Sequence, residues 1–274
     1  MTSEHAVRRC AVLGSPIAHS LSPDLHAAAY AYLGLPWVYG RYEVDEAGLG
    51  DFVRQLDASW RGLSLTMPLK QVALDYMDEV SDPARAVEAV NTVLVEDDGR
   101  LRGDNTDVPG MVGCLRGRGV GRVAAGTILG GGATARSALA AMNEVADTAT
   151  VYVRTPARAE QLLATAARLG LPCTVRPWDE RGDGLGADVV IVTTPVGATD
   201  DLADAVPEAA GALLDVVYDT GPTPLSLAWA ARGGVVVDGL DLLAEQALLQ
   251  VSLMTGRDVP RSVLLDVLHR RRAT

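Results

Sequence analysis

Short apolar runs alternate along the chain with segments of helical apolar spacing, and the alternation persists almost from one end to the other. Over the first hundred residues it predicts a strand in CAVLG (10–14), a helix from about Ser22 to Leu33 and a strand in WVYGRYEV (37–44). A helix near Glu46 to Leu56 and a strand in GLSLTMP (62–68) follow. This punctuation belongs to a partly parallel sheet covered by helices. NTVLVEDDGRLRGDNT (91–106) reads as a β-hairpin, because Asp98 and Gly99 suit a tight turn and Val93 and Val95 alternate as one half-buried face. A helix from Val108 to about Arg116 then runs into the glycine-rich RGRGVGRVAAG, where a second unit begins.

Four apolar strands follow in quick order, TILGG, ATVYV, ADVVIVTT and ALLDVVY, with GVVVDG as a fifth. Helical segments from Arg136 to Val145, Ala157 to Leu169 and Leu225 to Ala231 separate several of them, which is the pattern of a doubly wound parallel sheet. The last stretch, from about Leu242 to His269, is two helices without a strand. A helix leaving the last strand has nothing left to complete in the second unit, so this tail is expected to return to the first. The expected fold is α/β in two domains, residues 1–106 with 240–274 and an inserted 107–239.

Composition narrows the function. At 274 residues, 48% hydrophobic and 22% charged, the chain is ordinary for a soluble globular protein, and its net charge of −11 argues against a nucleic-acid surface or an anionic membrane surface. Any phosphate contact must be local. Cys10, Cys114 and Cys173 are odd in number and far apart, which fits neither a disulfide framework nor a zinc site, so no metal is expected and the thiols read as reduced. No leader-like segment opens the chain and no run approaches a membrane span, so a cytoplasmic location is expected.

TILGGGATARSAL places Gly130, Gly132 and Ala135 in the GxGxxG/A pattern between a predicted strand and a predicted helix. The first glycine permits a tight turn, the second lets backbone approach a pyrophosphate, and the small third residue allows close helix packing. Backbone N–H groups of Gly131, Ala133 and Thr134 at the helix start would hold the anion. A glycine turn alone is a weak signal; its setting makes it a dinucleotide site. The next strand ends in VYVRTPAR, with no carboxylate to accept a ribose 2′-hydroxyl. Arg154 and Arg158, helped by the Thr155 hydroxyl, could clamp a 2′-phosphate instead, which favours NADP over NAD. The alternative is two solvated arginines. TTPVG, with Thr193, Thr194 and Pro195 at a strand end, is expected to pass the nicotinamide, or else is an ordinary strand exit.

The substrate must be read outside that fold. Lys70, in SLTMPLKQ, is the only lysine among 24 Lys plus Arg residues. Arginine supplies positive charge everywhere else but does not release a proton near neutral pH, so a lone lysine is a candidate acid/base group unless it is an accident of composition. Around it, GSPIAHSLSPDLH, GLSLTMPLK, AVNTV and GDNTD are rich in hydroxyl and amide groups, as a pocket for a polyhydroxylated anionic molecule would be. Ser20, Ser22, Thr66, Asn91 and Thr106 can hydrogen-bond without bringing charge. Taken singly each is as well explained by a cap or a turn, and Ser22 before Pro23 is a good N-cap. His19 and His26 are rival acid/base groups close to the same loop.

Together, SPIAHSLSP, TMPLK, AVNT, GDNTD, the glycine loop, VRTPAR, DVVY, TPL and GLDLLAEQA resemble the shikimate dehydrogenase family over nearly the whole chain. The resemblance implies a substrate domain completed by C-terminal helices, an inserted Rossmann-like NADP domain, and NADP-dependent reduction of 3-dehydroshikimate to shikimate in aromatic amino-acid (chorismate) biosynthesis. It implies Ser20 and Ser22 on the substrate carboxylate, Thr66, Asn91 and Gln246 on ring hydroxyls, and Lys70 with Asp107 as the catalytic pair. Val217 and Gly239 join the cofactor set. Ser64 stands where the family commonly has Asn, so a shorter side chain must reach the ligand or leave the contact to water; Val153 replaces a frequent Asn, and Ala133 a glycine. A quinate/shikimate dehydrogenase and a non-catalytic ligand sensor are the alternatives, and either a monomer or a homodimer is compatible with the sequence.

Overall fold

The computed structural model describes residues 7–272 other than 156 and 219, so the first six residues of the stretch read as leaderless lie outside the described residues. Two compact units emerge, one running to Thr106 and resuming at Leu243, the other spanning Asp107–Leu242.

The first unit begins with β1 (Arg9–Gly14), α1 (Ser22–Tyr32), β2 (Val38–Glu43), α2 (Glu46–Arg54) and β3 (Trp60–Leu65). It continues through α3 (Leu69–Val72), a 3-10 turn, the short β4 (Glu79–Val80), α4 (Asp82–Val87) and the strands β5 (Thr92–Val95) and β6 (Leu101–Asp104). Its six-stranded sheet has the order β2-β1-β3-β5-β6-β4. β1 pairs in parallel with both neighbours, whereas β5 runs antiparallel to β3 and β6, so the sheet is mixed. The hairpin turns at Gly99, whose φ of 85° suits a residue without a Cβ. β1 is an unbroken apolar run because it lies inside the sheet with both faces covered, and Leu13, Leu63, Leu65, Leu69 and Val93 form the core beside it. α2 starts where sequence places it, since Asp45 caps it by accepting from the Gly48 N–H at 2.9 Å.

The second unit holds α5 (Asp107–Gly117), β7 (Val123–Leu129), α6 (Ala133–Val145), β8 (Ala146–Val153), α7 (Ala157–Leu169) and β9 (Cys173–Pro177). A 3-10 segment, Trp178–Gly186, leads to β10 (Val189–Val192), β11 (Ala212–Asp215), α8 (Pro224–Ala231) and β12 (Val235–Val237). The sheet order β12-β11-β10-β7-β8-β9 is parallel throughout, the doubly wound arrangement with its reversal between β7 and β10. Successive residues supply two cores: Ile128, Val151 and Ile191 on one face, Leu129, Tyr152, Val190 and Val192 on the other. α9 (Gly239–Thr255) opens in this unit, and from Leu243 onward it belongs to the first, together with α10 (Arg261–Arg272). α10 lies against α1, where Arg271 donates to Asp24 at 2.7 Å.

The α/β class agrees with expectation, but several elements differ. β9 was not predicted: CTVRP has no apolar run, because an edge strand buries only part of one face. Ser22 is the first helical residue and not the cap; Leu21 occupies the cap position and makes no side-chain cap bond. α6 starts at Ala133, so the helix opens directly from the glycine loop. Among the described residues no helix is long and apolar enough to cross a membrane, and none of the three cysteines forms a disulfide.

Candidate active site

Lys70 sits half-buried on the single turn of α3, directly after the loop leaving β3. Its carbonyl accepts the Val90 N–H at 2.7 Å, which fixes this turn against the residue preceding Asn91. Asn91, 2% exposed, closes a ring with the strand exit after β6: its Oδ1 accepts the Thr106 N–H at 2.8 Å and its Nδ2 donates to Thr106 Oγ1 at 3.0 Å. Asp107 is the next residue after Thr106 and the first of α5, and it is buried. The sequence-predicted Asn91 and Thr106 are therefore brought together, beside the backbone that carries Lys70.

Ser20 and Ser22 lie at the start of α1. The Ser22 N–H donates to Ser20 Oγ at 3.3 Å, and Arg41 holds the Ser20 carbonyl at 2.6 Å. Ser22 is buried. Tyr39 donates to Ser64 Oγ at 2.6 Å, and Ser64 donates to Gln250 Oε1 at 2.7 Å. Ser64 is 4% exposed, so its hydroxyl hydrogen is spent inside the protein and only a remaining lone pair is left to meet a ligand. Thr66 follows β3, its N–H bonded to the Leu13 carbonyl at 3.0 Å. Gln246 is half-buried on α9 and donates to the Leu243 carbonyl at 2.9 Å, a bond within its own helix.

His26 fails as a rival acid. It is fully buried, stacked on Tyr39 with ring centres 4.0 Å apart and bonded to Gln250 at 3.3 Å, and burial pushes its pKa down to about 4. His19 stays exposed on its loop. Sequence reasoning missed Gln250, Thr92 and Tyr39. Gln250 lies one helical turn beyond Gln246, and that i, i+4 spacing on one face was the available signal.

The dinucleotide loop is shaped as its motif requires. Gly130 has φ 132°, and a Cβ there would collide with Thr193 Oγ1, so only glycine lets the loop leaving β7 pass the end of β10. This crossing is the point where the strand order reverses, the usual site for a ligand in an open parallel sheet. Thr194 Oγ1 is buried there without a hydrogen-bond partner, and Thr193 donates to the Leu129 carbonyl at 3.1 Å. An orphaned hydroxyl beside a backbone cradle fits a bound dinucleotide. Pro195 and Thr155 are exposed, whereas Gly131, Gly132, Ala133 and Thr134 are half-buried and Ala135 is buried under the helix.

Arg154 is exposed at the end of β8, its guanidinium 4.8 Å from the Trp178 ring centre, and Arg181 lies at 4.8 Å from the same ring. Arg158 donates to the Gly131 carbonyl at 3.0 Å and leans on the loop. Val217 donates its N–H to Asp215 Oδ1 at 3.1 Å, and a Cβ on Gly239 would come within 2.5 Å of the Val216 and Val217 carbonyl oxygens, so that glycine is required by packing alone. Burial raises the pKa of Asp215 despite its bonds from Thr223 and Ser226. Among the described residues no cluster of His, Cys, Asp and Glu could hold a metal. A hollow of about 450 Å3 beside α2 is lined by Glu43, Asp45 and Asp51, and three carboxylates disfavour an anionic substrate there.

Comparison with known proteins identifies the family. Residues 12–93 match the model of the shikimate dehydrogenase substrate binding domain, and residues 239–269 match that of the shikimate 5′-dehydrogenase C-terminal domain. The NADP-dependent shikimate dehydrogenase of Thermus thermophilus is 37% identical over 90% of this chain and 92% of its own, and that of Methylobacterium radiotolerans 39% over 89% of each. The crystal structure of shikimate dehydrogenase from Mycobacterium tuberculosis superposes with a TM-score of 0.87 at 36% identity, over 96% of this chain and 99% of that one. A Thermus thermophilus structure in complex with NADP(H) and shikimate gives 0.84 at 35% identity, over 96% and 99%. With this identity running through both units, the chain belongs to the shikimate dehydrogenase family.

Proposed function

We propose that the protein catalyses the reversible, NADP-dependent reduction of 3-dehydroshikimate to shikimate in aromatic amino-acid biosynthesis, as its family membership indicates. The observation that supports the residue-level reading is the bonded pair Asn91–Thr106: Val90, just before Asn91, donates to the Lys70 carbonyl, and Asp107 follows Thr106 in the chain. NADPH, when bound at the glycine loop, supplies the hydride that goes to the ring carbonyl carbon. Negative charge then grows on the oxygen, where Lys70 stabilises it and a proton is delivered, with Asp107 holding the lysine and sharing that proton. The pair titrates as a unit, and a pH–rate profile belongs to both.

Asn91, Thr66 and Gln246 meet the ring hydroxyls and Ser20 with Ser22 the carboxylate, uncharged groups suited to a polar but compact ligand. Arg154, Thr155 and Arg158 take the 2′-phosphate, while the backbone at 130–135 takes the pyrophosphate. Thr193, Thr194 and Pro195 face the nicotinamide half, with Val217 and Gly239 beside it. The protein works in the cytoplasm as a monomer or homodimer on small molecules alone. Following NADPH absorbance with 3-dehydroshikimate tests this reading, with quinate and NAD as parallel arms. Rapid oxidation of NADPH by 3-dehydroshikimate is expected; ligand binding without turnover would make the protein a sensor, and preference for quinate with NAD would move it to the sister activity.

A further inference from the structure

Gln250 is 1% exposed on α9, and every hydrogen-bonding position of its amide is used. Oε1 accepts from Ser64 Oγ at 2.7 Å and faces His26 Nε2 at 3.3 Å; Nε2 lies 3.0 Å from Thr92 Oγ1 and 3.4 Å from the Asn91 carbonyl. The polarity of this node is set by the backbone. A carbonyl can only accept, so the end of Gln250 facing Asn91 is its NH2. The other end is then oxygen, and His26 must donate from Nε2 and accept the Tyr30 hydroxyl, 3.4 Å from Nδ1. Thr92 Oγ1, having accepted from Gln250, gives its own hydrogen to Asn91 Oδ1 at 2.8 Å, the atom that also takes the Thr106 N–H. A continuous path therefore runs from Tyr39 through Ser64, Gln250 and Thr92 to Asn91 and Thr106.

We infer that Gln250 is a positioning residue for substrate recognition: it joins Ser64, held by Tyr39, to the Asn91–Thr106 pair at the ring-hydroxyl end in one bonded frame and thereby fixes their spacing. It touches no substrate. Its action on the ring-hydroxyl end passes through Thr92, whose hydroxyl is turned toward Asn91 because Gln250 occupies its lone pair. This rests on the reading that Asn91 meets the substrate. A buried, fully bonded network of this kind holds its members in one arrangement, and removing a central member leaves several partners unpaired.

The test is steady-state kinetics of shikimate oxidation on Gln250→Met, Thr92→Val and their double variant, with Asn91→Ala alongside. Gln250→Met and Thr92→Val should each raise KM for shikimate three- to tenfold, with kcat changed less than threefold and KM for NADP unaltered. The double variant should be no worse than the poorer single one, and Thr92→Ser, which keeps the hydroxyl, should recover most of the binding. Thr92→Val keeps the side-chain shape, so it carries the test if Gln250→Met proves too unstable to assay. Normal shikimate KM in Thr92→Val, or additive losses in the double variant, would overturn the inference while leaving Asn91 as a contact. Normal KM in Asn91→Ala would instead overturn the substrate-contact reading itself.

Discussion

In the first unit, Ser64, Asn91, Thr92, Thr106 and Gln250 are all less than 5% exposed and joined by hydrogen bonds, whereas at the glycine loop of the second unit Arg154, Thr155 and Arg158 lie in the open. On the proposed roles, the two plans answer two kinds of ligand group. A neutral hydroxyl offers weak contacts whose value depends on prior alignment, so the groups meeting it must already be held. A phosphate brings charge, and an arginine needs only to be near and steered to make a strong contact with it. On the proposed roles, order is invested where the ligand presents neutral hydroxyls and left to the moment of binding where it presents a phosphate.

The strongest way to break this contrast is at Lys70. Both Lys70→Arg and Lys70→Met should lower turnover by about 10²–10⁴, with KM for shikimate altered far less, because a guanidinium keeps its charge but does not exchange a proton. Asp107→Asn should lose a similar factor and the double variant little more. Near-normal turnover in Lys70→Arg would reduce the lysine to a charge.

His26 sharpens the comparison from the stability side. Its pKa falls from about 6.5 in an unfolded chain to about 4 in the fold, so it binds a proton more readily when unfolded. Its contribution is complete above pH 6.5 and is lost as pH drops through 4, in total about 3 kcal/mol. Denaturant titrations from pH 7 to pH 4 should show a fall in unfolding free energy that His26→Gln makes shallower by about that amount. An identical fall in both proteins would mean that the buried imidazole is not what acid attacks.

On the open side, Arg154→Ala should raise KM for NADPH about tenfold or more and leave that for NADH nearly unchanged. Trp178→Ala should move the same constant only two- to fivefold, since an exposed cation–π contact orients an arginine without replacing its charge. Equal losses for both cofactors in either variant would show that the arginine does not read the 2′-phosphate.

Sequence revealed the two plans unequally. The glycine loop was legible because a turn, a close approach and a helix start each demand particular residues at fixed offsets, and Gly130 meets the first two at once. The parallel sheet of the second unit was legible from apolar runs such as VVIV, which parallel sheets bury on both faces. β9 escaped because an edge strand needs no such run. Gln250 escaped for a deeper reason: its partners at positions 26, 64 and 92 are set by how α9 lies against the sheet, and no local pattern encodes a contact across more than 150 residues.

The solitary lysine has a chemical corollary. Apart from the chain's α-amine, Lys70 is the only primary amine in the protein, and the half-buried turn of α3 presents it. Reductive methylation or acylation, which scatters over dozens of sites in most enzymes, is confined here to a single side chain. A single mass increment can therefore be counted against remaining turnover, and protection by shikimate against that increment maps occupancy of the pocket without a substitution or a crystal.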